Sequence, residues 1–287
     1  MSRMVVRRRI TRVTLGEQPQ RREDRLAGEE PLEIRVGGER LGITMRTPGH
    51  DDELVVGLLV SEGVLTSSDE LITIQHCAGP GVRAGDGDNV LDVTLRDPHA
   101  HHATRARGML MSSACGLCGS ESIDAVARMS RFRLDSDETP IAAELLVSLP
   151  ATLRAGQRAF DSTGGIHAAG LVDLASGEMV VIREDVGRHN AVDKVLGWAA
   201  MRGMLPLRGH ALVVSARAGF ELAQKATMAG VPVLAAVSAA TSLAAELAEE
   251  LGLTLVGFLR RESFVVYAGA ERVRIPSGAA ARGELSA

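Results

Sequence analysis

Ala211-Leu-Val-Val-Ser215, Phe220-Glu-Leu-Ala-Gln-Lys-Ala-Thr-Met-Ala229, Val233-Leu-Ala-Ala-Val-Ser238, Ser242-Leu-Ala-Ala-Glu-Leu-Ala-Glu-Glu-Leu251 and Thr254-Leu-Val-Gly-Phe-Leu259 follow one another with short connections. The first, third and fifth runs are short and apolar, as strands are, and the second and fourth carry apolar residues at helical spacing. Strand and helix in alternation predict a layered α/β domain. Working outward, a helix over Arg188–Arg202 precedes this run. Before it, strands Ile166–Leu174 and Met179–Arg183 are joined through Ala175-Ser-Gly177, which predicts a hairpin. A helix near Ile141–Ala155 and another from Ser120 to about Phe132, patterned on Ile123, Val126 and Met129, lie further upstream.

The N-terminal third reads differently. Leu32-Glu-Ile-Arg-Val36 and Leu41-Gly-Ile-Thr-Met45 alternate in period two around Gly37-Gly38, which predicts a hairpin. A helix from Asp51 to Leu65 should pack on it, with Asp51, Asp52 and Glu53 favouring the start of the helix dipole. Strands over Leu71–Gln75 and Val90–Leu95 flank a Gly-rich loop from Gly79 to Asn89. The expected organisation is a small α+β domain over 1–104, after a basic arm, and a larger α/β domain over 105–287.

Composition narrows the function classes. With 287 residues, 45% of them hydrophobic, the chain can bury two cores. Its net charge of −4 supplies no global field for nucleic acid or an anionic membrane, so neither is expected as a partner. Met1 to Thr11 holds Arg3, Arg7, Arg8 and Arg9 but no apolar stretch of the kind a secretory signal needs; it reads as a solvated arm. The longest apolar region, Ala229 to Leu259, is interrupted by Pro232, Glu246, Glu249 and Glu250 and cannot span a bilayer. Three cysteines, Cys77, Cys115 and Cys118, suit a reducing compartment, and a cytoplasmic protein is expected. His99, His101 and His102 follow Asp97-Pro98 in what reads as an irregular loop, and no metal site is assigned to them.

Chemistry concentrates in a few segments. In Cys115-Gly-Leu-Cys-Gly119, one thiolate can carry or attack sulfur while the other assists or competes. The motif precedes a helix, whose N-terminal dipole lowers a thiol pKa from about 8.5 towards roughly 3.5–7.5. Half of a structural zinc site is the competing reading, but no second C-x-x-C completes it. The run Arg183-Glu-Asp-Val-Gly-Arg-His-Asn-Ala-Val-Asp-Lys194 opens a helix and reads either as an anion site or as a well-capped start with His189 paired to Asp193. Arg217, in Ser215-Ala-Arg-Ala-Gly219, and the pair in Phe258-Leu-Arg-Arg-Glu-Ser263 sit at strand exits, where open α/β sheets bind nucleotides. Neither Walker A nor G-x-G-x-x-G spacing is present.

Cys115-Gly-Leu-Cys-Gly119, Gly164-Gly-Ile-His167, Glu184-Asp-Val-Gly-Arg-His-Asn-Ala-Val-Asp-Lys194 and Val237-Ser-Ala-Ala-Thr-Ser-Leu-Ala244 resemble, in order, the formate dehydrogenase accessory sulfurtransferase family of FdhD-type sulfur carriers. Arg46-Thr-Pro48 and Ser61-Glu-Gly63 extend the resemblance over most of the chain. It implies a cytidine deaminase-like C-terminal domain and a homodimer that takes sulfur from a cysteine desulfurase. It implies a persulfide on Cys115, with Cys118 assisting. It further implies delivery to the molybdenum cofactor of formate dehydrogenase, Mo-bis(molybdopterin guanine dinucleotide), with GDP as a partial mimic. Phe258, Leu259, Arg260, Arg261, Glu262 and Ser263 match the family's cofactor-binding stretch, and Arg217 is added from its strand exit. Ala218-Gly219 departs from the Ala-Ser such proteins often place there.

Two other function classes compete. A zinc-dependent deaminase needs His-x-Glu and Pro-Cys-x-x-Cys, yet no His is followed two places later by Glu and Ala114 precedes Cys115. A noncatalytic chaperone would bind cofactor without using its cysteines.

Overall fold

The computed structural model describes residues 4–77, 87–100 and 123–275, apart from 125, 128 and 129. The alternating run folds as expected into β10 (His210–Val214), α5 (Phe220–Met228), β11 (Val233–Ala236), α6 (Ser242–Leu251) and β12 (Thr254–Gly257). These three strands are parallel neighbours, with Val214 beside Ala236 and Ala235 beside Val256. The hairpin of β8 (His167–Asp173) and β9 (Met179–Asp185) adds antiparallel to β10, and β13 (Val265–Ala268) closes the other side. The six-stranded order is β13-β12-β11-β10-β8-β9.

Period two divides each strand between two cores. Leu212, Val214, Leu234, Ala236 and Leu255 face one apolar cluster, whereas Ala211, Val213, Val233, Ala235 and Val256 face a second. The second is covered by α2 (Ala143–Ala155) through Leu146, Leu149 and Leu153. The first holds α4 (Arg188–Ala200), α5 and α6, and continues into the N-terminal elements. A mixed α/β fold in layers results.

The N-terminal hairpin is β3 (Glu30–Val36) with β4 (Glu39–Arg46), and a four-stranded sheet of order β4-β3-β6-β5 includes β5 (Leu71–His76) and β6 (Val90–Leu95). Helix α1 (Asp51–Ser61) has every residue from Leu54 to Ser61 buried, so it is enclosed rather than amphipathic. It crosses α4 at backbone contact. A Cβ on Gly57 would fall 1.8 Å from the Asp193 carbonyl oxygen, and one on Gly197 would fall 1.8 Å from that of Glu53. The predicted helix overran by four residues: Gly63 takes φ +68°, a conformation L residues avoid, while Val64 and Leu65 stay apolar because they are buried beyond the helix end.

One expectation needs correction, and two features have no counterpart in the sequence reading. The basic arm is a strand, β1 (Val5–Arg12), paired over its whole length with β2 (Gln20–Ala27). A short helix, α3 (Arg158–Thr163), follows α2 and carries no apolar periodicity long enough to read. The two-residue strands β7 (Ile141–Ala142) and β14 (Val273–Arg274) pair with each other across most of the C-terminal half. Within the Ser120–Phe132 helix, residues 123, 124, 126 and 127 are helical and most of the rest lies outside the described residues. The Gly79–Asn89 loop lies largely outside them as well, apart from a short 3-10 turn over Gly87–Asn89.

Candidate functional site at the strand-exit edge

Register places the motif segments together. Because β9, β10, β11 and β12 run in one direction, Asp185, Val214, Ala236 and Gly257 end at one edge of the sheet. The antiparallel β8 starts there, with His167 opposite Asp185. The segments Gly164–His167, Asp185–His189, Ser215–Gly219, Ser238–Thr241 and Phe258–Ser263 therefore share that edge.

Backbone bonds knit the loops. Ala218 and Ala240 form a parallel bridge, supported by Ala218 N–H to the Ala239 carbonyl at 3.0 Å and Thr241 N–H to the Ala218 carbonyl at 3.1 Å. The Phe258 N–H donates to the Ser238 carbonyl at 3.0 Å. Ser215 Oγ accepts from the Ala168 N–H at 2.9 Å, joining β8 to the β10 exit.

Three long helices begin here. The N-caps Gly187 of α4, Gly219 of α5 and Thr241 of α6 make no side-chain capping bond. Each helix start thus presents backbone N–H groups and the positive end of its dipole. Acidic residues are absent from the first turns of α4 and α6, and the one in α5, Glu221, contacts His189 Nε2. That contact holds the Glu221 carboxyl below its usual range. Arg188 and Arg217 are exposed at the same edge. Burial holds His167 below the ordinary histidine range, and the nearby Arg188 and His189 act in the same direction. The edge is electropositive and suits an anion.

Arg260 and Arg261 diverge. Arg260 Nη1 donates to the Val237 carbonyl at 2.7 Å and to its neighbour Leu259 at 2.8 Å, so this guanidinium shapes the loop. Arg261 lines a cleft of about 580 Å³ against α2, beside Arg154 and Asp161. Leu259 is buried, whereas Phe258, Glu262 and Ser263 are exposed. Phe258 holds φ +49°, in the left-handed region that non-glycine residues seldom occupy. Cys115 and Cys118 lie outside the described residues.

Within the long central motif Arg188 lies on the edge, whereas Asp185, Asn190, Asp193 and Lys194 make tertiary contacts. Lys194 Nζ lies 2.7 Å from Asp185 Oδ2 and donates to the Thr47 carbonyl at 2.8 Å, with both charged side chains fully buried. Burial pushes the Asp185 carboxyl up, against the pull of Lys194. Asp185 also accepts from the N–H groups of Thr47 and Gly187 and from Asn190, whose amide in turn donates to the Met45 carbonyl at 2.7 Å. Asp193 accepts from Lys225 at 2.8 Å and from Ser61 at 2.7 Å. Glu184 accepts from the Ala159 and Phe160 N–H groups, both at 2.8 Å, and so caps α3. Arg46 grips Asp51 with two nitrogens, at 3.0 and 2.8 Å. Thr47, Met45 and Ser61 with Asp185, Asn190, Asp193 and Lys194 form a clasp joining the N-terminal elements to the large sheet and α4. His189 is not paired with Asp193, as local spacing allowed; each finds a tertiary partner on α5.

A family model described as FdhD/NarQ family matches residues 27–274. The chain belongs to the FdhD/NarQ family. Proteins named "Sulfur carrier protein FdhD" are similar to it over nearly their whole length. That of Nocardia farcinica is 52% identical over 95% of this chain and 96% of its own. That of Streptomyces avermitilis is 54% identical over 98% of this chain and 99% of its own. Among solved structures, a putative formate dehydrogenase accessory protein from Desulfotalea psychrophila is 21% identical, with a TM-score of 0.74 over 94% of this chain and 100% of that one. At that identity the likeness is one of fold. Helix α4 belongs to both features: its start lies on the electropositive edge, and Asn190, Asp193 and Lys194 along it enter the clasp.

Proposed function

We propose that this protein is a cytoplasmic sulfur carrier required for formate dehydrogenase activity. The Cys115 thiolate attacks the outer sulfur of a cysteine desulfurase persulfide; a new S–S bond forms on Cys115 and the desulfurase thiolate leaves. Cys118, three residues on, protects or passes that sulfur. The acceptor is Mo-bis(molybdopterin guanine dinucleotide), bound as a substrate before its insertion into formate dehydrogenase. We read the molecule as a homodimer of two-domain chains, divided near residue 104, with a cytidine deaminase-like C-terminal domain.

The observation that carries the nucleotide part is the shared edge. Arg217, Arg188 and the Phe258–Ser263 loop meet there with three helix starts that lack side-chain caps. Pyrophosphate groups match backbone N–H donors and guanidinium groups at such a place. The sulfur part rests on family membership and on the C-x-x-C motif. Calorimetry with GDP tests the edge. Arg217→Ala, and Arg260→Ala combined with Arg261→Ala, should each weaken GDP while leaving sulfur loading on Cys115 intact; unchanged affinity would remove these side chains from the site.

A further inference from the structure

The β1–β2 ribbon forms a two-stranded sheet of its own. The family model begins at residue 27, and the Streptomyces avermitilis relative, aligned over 98% of this chain, reaches well into the ribbon. All eight cross-strand pairs form, from Val5 opposite Ala27 to Arg12 opposite Gln20. A two-stranded hairpin is marginal on its own in water. This one is tied at its base by the Gly28 N–H to the Met4 carbonyl at 2.8 Å and packs against α3. Helix α3 leads directly into Gly164–His167 at the electropositive edge.

Charge on the ribbon is out of proportion to the chain. Seven arginines between Arg7 and Arg25 face only Glu17, Glu23 and Asp24, although the whole chain carries −4. Arg7 lies directly opposite Arg25, an arrangement that destabilises a sheet. The internal pairs are weak, with Arg7–Glu23 at 3.3 Å and Arg22–Asp24 at 4.0 Å, both exposed. One face sets Val6 opposite Leu26, Arg8 opposite Asp24 and Ile10 opposite Arg22. Val6 and Leu26 are 38% and 44% exposed there. Ribbon stability alone does not explain the bare apolar pair, which shares its face with Arg8 and Arg22, while Arg7 and Arg25 stack on the opposite face.

We propose that this ribbon docks a partner protein through an acidic face that also carries an apolar contact, and holds that partner beside the strand-exit edge. Carboxylates match guanidinium groups in two-point contacts, and Val6 with Leu26 supplies the dry centre that protein interfaces use. Nucleic acid fits less well. Glu23 and Asp24 interrupt the arginine stripe, and no Phe, Tyr or Trp lies between Met4 and Ala27 to stack a base.

The test uses the full chain and three probes at physiological salt: an acidic peptide of Glu and Ala with one Leu, oligothymidylate of matched charge, and phosphatidylglycerol vesicles. The peptide should bind best. Arg8→Glu with Arg22→Glu should weaken it at least tenfold, and Val6→Ser with Leu26→Ser severalfold, at an unchanged unfolding midpoint. If the charge reversal lowers that midpoint, Arg8→Gln with Arg22→Gln provides the reading and should weaken the peptide by a smaller factor. Peptide affinity unaltered in these variants, or tighter binding of oligothymidylate or vesicles than of peptide, overturns the proposal.

Discussion

Replacing Lys194 with Met removes one ammonium from a site with no exposed surface, keeping most of the side-chain volume. Two contacts disappear, Asp185 at 2.7 Å and the Thr47 carbonyl at 2.8 Å. Breaking a buried pair by deleting one partner costs about 3–5 kcal/mol, because the other charge stays buried. The Thr47 carbonyl contributes about 1 kcal/mol of that as a lost hydrogen bond. Asp185 keeps the N–H groups of Thr47 and Gly187 and the Asn190 amide, which places the cost towards the lower end. The pH dependence has a definite sign. Burial already raises the Asp185 carboxyl in the folded chain, and losing Lys194 raises it further. The folded state then binds more protons than the unfolded one between the unfolded and folded pKa values, so stability falls as pH rises through that window. The assay is urea unfolding of wild type, Lys194→Met, and Lys194→Met with Asp185→Asn. The single variant should lose most at neutral pH and less at acid pH, and the double variant should recover part of the loss. A wild-type midpoint for Lys194→Met, or a deficit that grows towards acid pH, would refute the clasp.

Gly197→Ala should destabilise by at least the 1–3 kcal/mol or so of ordinary overpacking, since its Cβ meets backbone at 1.8 Å; thermal unfolding at the wild-type midpoint would contradict the crossing. Glu184→Ala should cost about 1–2 kcal/mol by uncapping α3, read as faster hydrogen exchange at Ala159 and Phe160. His189→Asn should let the Glu221 carboxyl rise towards its ordinary value in an NMR titration. Glu221 titrating unchanged would dissolve that contact as an electrostatic partner.

Much of the large sheet was legible because buried strands and amphipathic helices leave different periods in the sequence. Ser242–Leu251 appears with its predicted bounds, and β10 to β12 lie within a residue or two of theirs. The β1–β2 ribbon was not legible, because its residues are nearly all exposed and pairing alone, without apolar alternation, defines it. Helix α3 was missed for a related reason: its start is held by Glu184, twenty-five residues downstream of Ala159, and nothing local announces that. The same non-locality governs the central motif. Its residue types suggested an anion site or a self-contained cap; Arg188 does lie at the edge, while Asp185, Asn190, Asp193 and Lys194 find their partners on β4, on α1 and α5, and in the segment after β4. At the candidate edge, residue types placed Arg217 and Phe258–Ser263 at strand exits; the gathering of those exits on one side required the strand order. Arg260 differs from expectation in its surroundings, since its guanidinium reaches the Val237 carbonyl.

The proposed loading of sulfur on Cys115 can be read directly. The direct measurement is intact mass of the full-length protein after incubation with a cysteine desulfurase and cysteine, compared with Cys115→Ala and Cys118→Ala. Wild type should gain one sulfur atom, reversed by reductant, lost in Cys115→Ala and largely kept in Cys118→Ala; equal loading of Cys115→Ala and wild type would overturn the assignment of Cys115.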